Sequence, residues 1–250
     1  MSKMITKGIK KKFDELGLLD SVEEIEFYYT EHSKRYIKKL KSRPKKPPRL
    51  IGQNGLNYIQ MALFRSKCLL QGSMHSLNNK NALISILSTR AHFEVTGGLA
   101  LLLKNLEKYY DKKIDLDEIT IFIEKITLGS KDKFTDQNQI PLNIPEPINV
   151  MKMIDAADTN HKRISGIREP IYRIMYDELS EFCHPNFCGI SMGHEIENNR
   201  NVNYFDALEI NKQNGPFVIH LSISAMTFLR LYDEILKLLE KNEELPIIIR

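Results

Sequence analysis

The segment Tyr176–Asn186 carries the side chains of this chain that are best placed for chemistry. It reads Tyr-Asp-Glu-Leu-Ser-Glu-Phe-Cys-His-Pro-Asn, so a histidine ends an amphipathic helical pattern and a proline follows it. Asp177, Ser180 and His184 recur at intervals of three and four residues, which places them on one face of a helix. A histidine at the negative end of a helix, held by a neighbouring carboxylate, can act as a general acid or base near neutral pH. The alternative is a histidine that only caps the helix carbonyls and pairs with a carboxylate for stability.

A second polar cluster lies within Ser88–Glu94, in a stretch that is otherwise strongly apolar. Arg90 and Glu94 are four residues apart and can pair along one face of a helix. Because a buried charge persists only when it is paired, we expect a partner from another helix, and the face that carries His184 is the best candidate. A local salt bridge on the flank of the helix is the alternative.

A zinc site is a further alternative for the His184 segment. Cys183, His184, Cys188 and His194 have the donor atoms that Zn²⁺ prefers. Adjacent residues diverge on a helix, however, and the sequence lacks a paired Cys-x2-Cys knuckle, so we expect neither a metal nor another cofactor. The chain has 3 cysteines, too few and too odd in number for a disulfide framework, which indicates a reducing compartment and hence a cytoplasmic protein.

The N-terminal fifth of the chain holds the excess positive charge. Residues 1–50 contain 14 lysines and arginines against 7 acidic residues, in a chain of net charge +4. The densest run has seven basic side chains, no acidic one and three prolines: Lys38, Lys39, Lys41, Arg43, Lys45, Lys46 and Arg49. These side chains could bind the phosphates of a nucleic acid. The prolines, and the lack of aromatic residues between the charges, favour an extended linker instead.

Helical periodicity dominates the rest of the sequence and predicts an all-α helical bundle. We assign residues 1–42 to an N-terminal helical arm, 43–51 to a basic, proline-rich linker and 52–250 to the bundle. Residues 187–212 interrupt the helical pattern and predict a small β-hairpin or an irregular insertion. The longest uncharged run, 213–229, is too short and too polar to cross a bilayer, so we expect no membrane association.

Three local patterns predict how the helices are arranged. In the arm, the periodicity of the second helix continues through Leu40. In the bundle, two long helices over 54–77 and 81–110 are joined by a short turn and should form an antiparallel hairpin. Gly97 and Gly98 lie inside the second of these helices and indicate a close helix crossing.

Two motifs resemble a known superfamily. One is Leu-Ser-Thr-Arg90-Ala-His-Phe-Glu94, and the other, about ninety residues later, is the segment that ends Leu-Ser-Glu-Phe-Cys-His184-Pro. They are similar to the motifs of uncharacterised bacterial helical proteins, in which an Arg-x3-Glu helix faces a helix ending Leu-Ser-x3-His-Pro. On these motifs, residues 52–242 resemble the HEPN superfamily. The resemblance implies an all-α bundle, a homodimer, and a place in toxin–antitoxin, abortive-infection or other phage-defence systems, with a cognate partner protein and RNA as the substrate of a metal-independent ribonuclease.

The resemblance also implies roles for individual residues. HEPN ribonucleases carry an arginine shortly before the histidine of their motif, and because none stands there in this chain, Arg90 would supply the guanidinium from the neighbouring helix. His184 would act as general acid or base and Arg90 would stabilise the phosphorane-like charge. Glu94 and Asp177 would orient them, and Ser180 would lie beside them. The competing hypothesis is a non-catalytic interaction module, in which Arg90, Glu94 and His184 form a buried structural network.

Overall fold

The computed structural model describes residues 4–41, 51–131, 144–197, 201–243, 245 and 247–249. These residues form an all-α bundle with a small β-hairpin insertion, which confirms the predicted fold class. In chain order the elements are α1 (Lys7–Glu15), α2 (Leu19–Arg35), β1 (Lys39–Lys41), α3 (Ile51–Asn78), α4 (Ala82–Tyr110), α5 (Leu116–Leu128), α6 (Val150–Ser165), α7 (Ile171–Cys183), α8 (Phe187–Ser191), β2 (His194–Glu197), β3 (Asn201–Tyr204), α9 (Phe217–Asn242) and β4 (Ile247–Ile249). None of the helices in these ranges is both long and apolar enough to traverse a lipid bilayer.

Helix α4 is the centre of the bundle. It contacts α3, α5, α6, α7 and α9, so most of its residues are buried. Its first turn is capped by Asn81, whose side chain accepts a hydrogen bond from the Ile84 backbone N–H at 3.2 Å. Helices α3 and α4 pack against each other across the short turn between them, as predicted for the helical hairpin. A polar side chain buried in such a helix needs a hydrogen-bond partner, either in the helix itself or on a neighbour.

Helices α4 and α6 approach closely at Gly97. A Cβ atom added to Gly97 would lie 2.8 Å from the backbone carbonyl carbon and oxygen of Met153 on α6. On the adjacent residue, Gly98, a Cβ would overlap the Tyr58 hydroxyl of α3. The double glycine therefore lets two helices approach α4 at the same level, and the predicted close crossing is confirmed.

Gly97→Ala is expected to lower the free energy of unfolding by about 1–3 kcal/mol, because the new methyl group must displace backbone atoms rather than a flexible side chain. Gly72→Ala is the matched control. Its Cβ would meet only the Ser88 hydroxyl at 3.9 Å, so better helix propensity should leave stability unchanged or raise it by up to about 1 kcal/mol. Urea unfolding of both variants measures the difference, and equal stabilities would contradict a tight crossing at Gly97.

Helices α1 and α2, which form most of the predicted N-terminal arm, pack into the same hydrophobic core as the bundle. Phe13 of α1 and Ile25 of α2 are fully buried. Arg35, at the end of α2, donates from Nε and Nη2 to the two carboxylate oxygens of Asp233 on α9 at 2.9 and 2.8 Å. This bidentate pair fixes the end of α2 against the last helix of the bundle.

Helix α2 ends at Arg35, and the prediction that it continues through Leu40 is wrong. Tyr36 has an extended backbone, with φ −69° and ψ 128°. The Gln60 side chain of α3 binds the chain on both sides of this bend, since its Nε2 donates to the Arg35 carbonyl at 3.2 Å and its Oε1 accepts from the Ile37 N–H at 2.9 Å. Residues Lys39–Lys41 then form a strand that pairs antiparallel with Ile247–Ile249.

Candidate functional site

Helix α7 carries the candidate site, and a carboxylate from α6 fixes its start. The two oxygens of Asp158 accept hydrogen bonds from the backbone N–H groups of Tyr172 and Arg173 at 2.7 and 3.0 Å. N–H groups in the first turn of a helix have no partner within the helix, so this carboxylate both satisfies them and complements the helix dipole. Burial raises the pKa of the Asp158 carboxyl, and the two N–H donors oppose that rise. The position of α7 beside α6 is set by this cap.

The other end of α7 is fixed by the sequence around His184. A residue before proline disfavours the helical region, and His184 is extended with φ −89° and ψ 150°, so the helix ends at Cys183. Gly189 of α8 packs so closely on the His184 carbonyl oxygen that a Cβ there would overlap it. Asn186 then caps α8 by accepting from the Gly189 N–H at 3.2 Å. The backbone of His184 is thus held on both sides while its side chain is exposed.

Arg90 of α4 reaches α7 and contacts three polar side chains. Its Nε donates to Ser180 Oγ at 3.0 Å and its Nη2 donates to the Tyr176 hydroxyl at 2.7 Å. Its Nη1 lies 3.5 Å from Glu94 Oε1, and the Tyr176 hydroxyl donates to that same oxygen at 3.0 Å. The guanidinium carbon also lies 4.9 Å from the centroid of the Tyr176 ring. Arg90 and Glu94 therefore pair with each other and, through Tyr176 and Ser180, with α7.

We call the side chains of Arg90, Glu94, Tyr176 and Ser180 the Arg90 network. It is half-buried, since 29% of the Arg90 side chain and 31% of the Glu94 side chain are exposed. Burial, with Glu94 nearby, raises the pKa of Tyr176 to about 12, so the phenol is protonated at neutral pH and serves as a donor. Burial also raises the pKa of the Cys183 thiol, which disfavours the nucleophilic thiolate. An arginine has five N–H donors, and those not used by Ser180, Tyr176 and Glu94 could bind an anion.

His184 lies outside the Arg90 network. Among the described residues no side chain forms a hydrogen bond or ion pair with its ring. It is connected to Arg90 through Ser180, whose carbonyl oxygen accepts from the His184 N–H at 3.2 Å and whose hydroxyl oxygen accepts from Arg90. Asp177 is separated from both, because it accepts a hydrogen bond from Arg173 Nε at 3.1 Å on the exposed side of α7. The structure thus brings Arg90, Glu94 and Ser180 together, and the exposed His184 lies one helical turn after Ser180.

The zinc alternative requires Cys183, His184, Cys188 and His194 to lie close together. Over the residues that the structure describes, no three or more histidine, cysteine, aspartate and glutamate side chains lie close enough together to hold a metal ion. Cys183 and Cys188 are half-buried and have free thiols.

The structure describes three of the seven basic residues in the run 38–49. Lys38, Lys39 and Lys41 are exposed, the last two on strand β1. The other four, Arg43, Lys45, Lys46 and Arg49, lie outside the described residues.

A second polar cluster crosses the core, and we call its four side chains, His32, Ser66, His92 and Ser224, the buried relay. His32 Nδ1 lies 2.6 Å from the Tyr28 carbonyl oxygen, and its Nε2 lies 2.7 Å from Ser66 Oγ. Ser66 Oγ lies 2.7 Å from His92 Nε2, and His92 Nδ1 lies 2.8 Å from Ser224 Oγ. The four residues are fully buried and come from α2, α3, α4 and α9, so the relay joins four helices.

The Tyr28 carbonyl fixes the direction of every hydrogen bond in the buried relay. Because a carbonyl only accepts, His32 carries its proton on Nδ1, and the bare Nε2 of the neutral ring accepts from the Ser66 hydroxyl. Ser66 has then used its one proton, so it accepts from the N–H at Nε2 of His92. The bare Nδ1 of His92 accepts in turn from the Ser224 hydroxyl. With both rings neutral, each nitrogen and each hydroxyl has its partner.

Burial lowers the pKa of His32 to about 4 and that of His92 to about 3. For His32 the bond to the Tyr28 carbonyl opposes this shift, while the charges of Arg35 and Lys67 add to it. Neither His32 nor His92 was predicted as a functional residue from the sequence, where His92 is a neighbour of Arg90. One signal was present, since His32 follows the buried Ile25 by seven residues and therefore lies on the apolar face of α2.

The stability of the protein is expected to fall as the pH is lowered from about 6.5. The unfolded rings titrate near about 6.5, whereas the folded rings titrate at about 4 and about 3, so between these values the unfolded state binds more protons. Each ring contributes a slope of at most about 1.4 kcal/mol per pH unit in that window. Urea unfolding between pH 7 and pH 5 measures the slope. His92→Gln should reduce this slope by the contribution of one ring. A free energy of unfolding that does not change with pH would contradict two buried neutral imidazoles.

Comparison of the chain with protein-family models, curated proteins and solved structures gave no significant match. The relationship to the HEPN superfamily stays a prediction.

Proposed function

We propose that this protein is a HEPN-like endoribonuclease of a bacterial defence or toxin-type system, which acts in the cytoplasm and cuts RNA without a metal ion. One observation carries the proposal: Ser180, which binds the guanidinium of Arg90, lies one helical turn before the exposed ring of His184. Phosphodiester cleavage needs a fixed positive charge for the phosphoryl oxygens and a group that transfers protons. Arg90 and His184 are suited to these two roles.

In this reaction RNA supplies its own nucleophile. The ribose 2′-oxygen attacks the adjacent phosphorus, a base removes the 2′ proton, and an acid protonates the departing 5′-oxygen as its bond to phosphorus breaks. The products are a 2′,3′-cyclic phosphate and a 5′-hydroxyl. A neutral His184 ring serves as the base and a protonated ring as the acid, while the remaining N–H donors of Arg90 stabilise the charge that develops on the phosphoryl oxygens. Glu94 and Tyr176 orient the guanidinium.

One imidazole cannot be base and acid in the same step, so we propose a homodimer in which a second copy supplies the second ring. Exposed apolar side chains in the segment that follows His184 support this arrangement. Phe187 is 85% exposed, Ile190 63% and Tyr204 80%, and a two-fold pairing would bury the same patch on both copies. Phe187→Asp should then give a monomer in sedimentation and abolish cleavage, whereas a parent chain that sediments as a monomer would contradict the dimer.

The direct test is incubation of the full chain with RNA in the presence of EDTA, followed by analysis of the new ends. We expect fragments that end in a 2′,3′-cyclic phosphate and begin with a 5′-hydroxyl. Intact RNA, or fragments with 5′-phosphate ends, would contradict the proposed reaction. Growth arrest on expression in bacteria is the corresponding test of a toxin-type role.

The second candidate is a non-catalytic module that binds a cognate partner protein. It is favoured by the number of contacts that Arg90 makes, because a guanidinium bound by Ser180, Tyr176 and Glu94 also fastens α4 to α7. In that case Arg90→Ala should melt at a lower temperature than the parent, and neither protein should cut RNA.

A further inference from the structure

A groove of about 670 Å³ opens between α4, α5 and α6, at the opposite end of α4 from Arg90. Four lysines from the three helices line it, namely Lys104 and Lys108 of α4, Lys125 of α5 and Lys152 of α6. In the part of the chain that the structure describes, none of the four ammonium groups has an ion-pair or hydrogen-bond partner. We call this feature the lysine groove.

The two acidic residues in the lysine groove have partners of their own. Glu118 Oε2 accepts from the Asp115 backbone N–H at 3.0 Å and completes the capping box of α5. Asp155 Oδ1 lies 3.4 Å from Nη1 of Arg173. Four lysines against these two carboxylates leave the groove with an excess of positive charge, so an anionic occupant complements it.

The floor of the lysine groove is apolar. Leu101, Phe122 and Ile148 line it and are half-buried, so they offer a surface on which a flat ring can pack. Asn105 is also half-buried, and its Nδ2 donates to the Leu101 carbonyl at 2.8 Å, which leaves its Oδ1 to accept from a ligand. The volume of the groove lies within the range of small-molecule sites, and its lining combines apolar side chains with several charged ones.

We propose that the lysine groove binds nucleotide phosphates, with the base on the apolar floor and the phosphates on the lysines. Lysine is a common phosphate ligand because its ammonium is a compact point charge with three donors. Lys104 and Lys108 follow Arg90 by 14 and 18 residues, so they lie on the same side of α4, about 20–27 Å away. A free nucleoside triphosphate, or a stretch of RNA beyond the cleavage site, would supply this chemistry. The groove does not depend on the proposed cleavage reaction.

The test compares two charge-matched double variants of the full chain. Lys104→Gln/Lys152→Gln removes two positive charges from the groove, whereas Lys162→Gln/Lys237→Gln removes two exposed charges from α6 and α9 outside it. All four lysines are exposed, so both variants should fold. Calorimetry with ATP and fluorescence anisotropy with a short labelled RNA measure binding. We expect the groove variant to bind at least about tenfold more weakly, with a shallower salt dependence, and the control to bind like the parent.

The two probes identify the source of the phosphates. ATP binding that depends on the groove lysines identifies a free nucleotide as the ligand. RNA binding without ATP binding identifies a nucleic-acid strand. Either result supports phosphate binding by the groove. Equal weakening of both double variants, or no binding of either probe by the parent, overturns the proposal. ATP binding is measured without any cleavage step, so a failure of the cleavage reaction can be told apart from a failure of the groove.

Discussion

Ser66→Ala is expected to lower the free energy of unfolding by about 2–5 kcal/mol at pH 7, which is a large share of the stability of a domain. The Ser66 hydroxyl lies between two buried rings, donating to His32 and accepting from His92. Its removal leaves one ring nitrogen without a donor and one ring N–H without an acceptor. Each orphaned polar group costs about 1–3 kcal/mol, and in a fully buried site no water replaces the hydroxyl.

Ser76→Ala is the matched control for this experiment. Ser76 is a buried serine on the same helix, but its hydroxyl donates only to the Ser73 carbonyl, at 2.8 Å, within α3. Its loss should cost no more than about 1 kcal/mol. Urea unfolding at pH 7 gives both values, and similar losses would show that Ser66 has no special role. Nitrogen chemical shifts provide an independent check, with the proton expected on Nδ1 of His32 and on Nε2 of His92.

The fold was predictable where local pattern and tertiary packing agree. Helix α4 is long and apolar, with a capping asparagine at its start, and its predicted range over 81–110 matches the observed Ala82–Tyr110. The end of α2 was not predictable, because the Gln60 side chain that holds Arg35 and Ile37 belongs to another helix. Periodicity indicates which residues can continue a helix. It cannot show that a side chain distant in sequence forms hydrogen bonds to the backbone where the helix ends.

The polar sites likewise divide into contacts that follow from local spacing and contacts that depend on residues distant in sequence. The Arg90–Glu94 pair follows from four-residue spacing, and its contact with α7 follows from the need to compensate a half-buried charge. Asp177 was expected to orient Arg90 and His184, but in the structure it pairs with Arg173, four residues before it on α7. The buried relay was beyond this reasoning, since Ser66 lies 34 residues from His32 and only the packing of α2 on α3 brings them together.

His184→Ala is expected to reduce RNA cleavage at least about 100-fold, the smaller end of the range for loss of a general acid or base. The same change should leave the melting temperature of the protein unaltered, because the ring is exposed and no described side chain binds it. His75→Ala is the matched control, since His75 is an exposed histidine in the last turn of α3, outside the Arg90 network. Cleavage rates in EDTA, with thermal melts of the same samples, provide the measurement.

Comparison of Arg90→Lys with His184→Ala separates the role of a reacting group from that of a positioning contact. Lysine keeps the positive charge but cannot bind Ser180, Tyr176 and Glu94 together, so both cleavage and stability should fall. A His184→Ala protein that loses activity alone, next to an Arg90→Lys protein that loses both, would assign proton transfer to the histidine. If His184→Ala cuts RNA as fast as the parent, the histidine is not the proton-transfer group, and the Arg90 network is better explained as the contact that fastens α4 to α7.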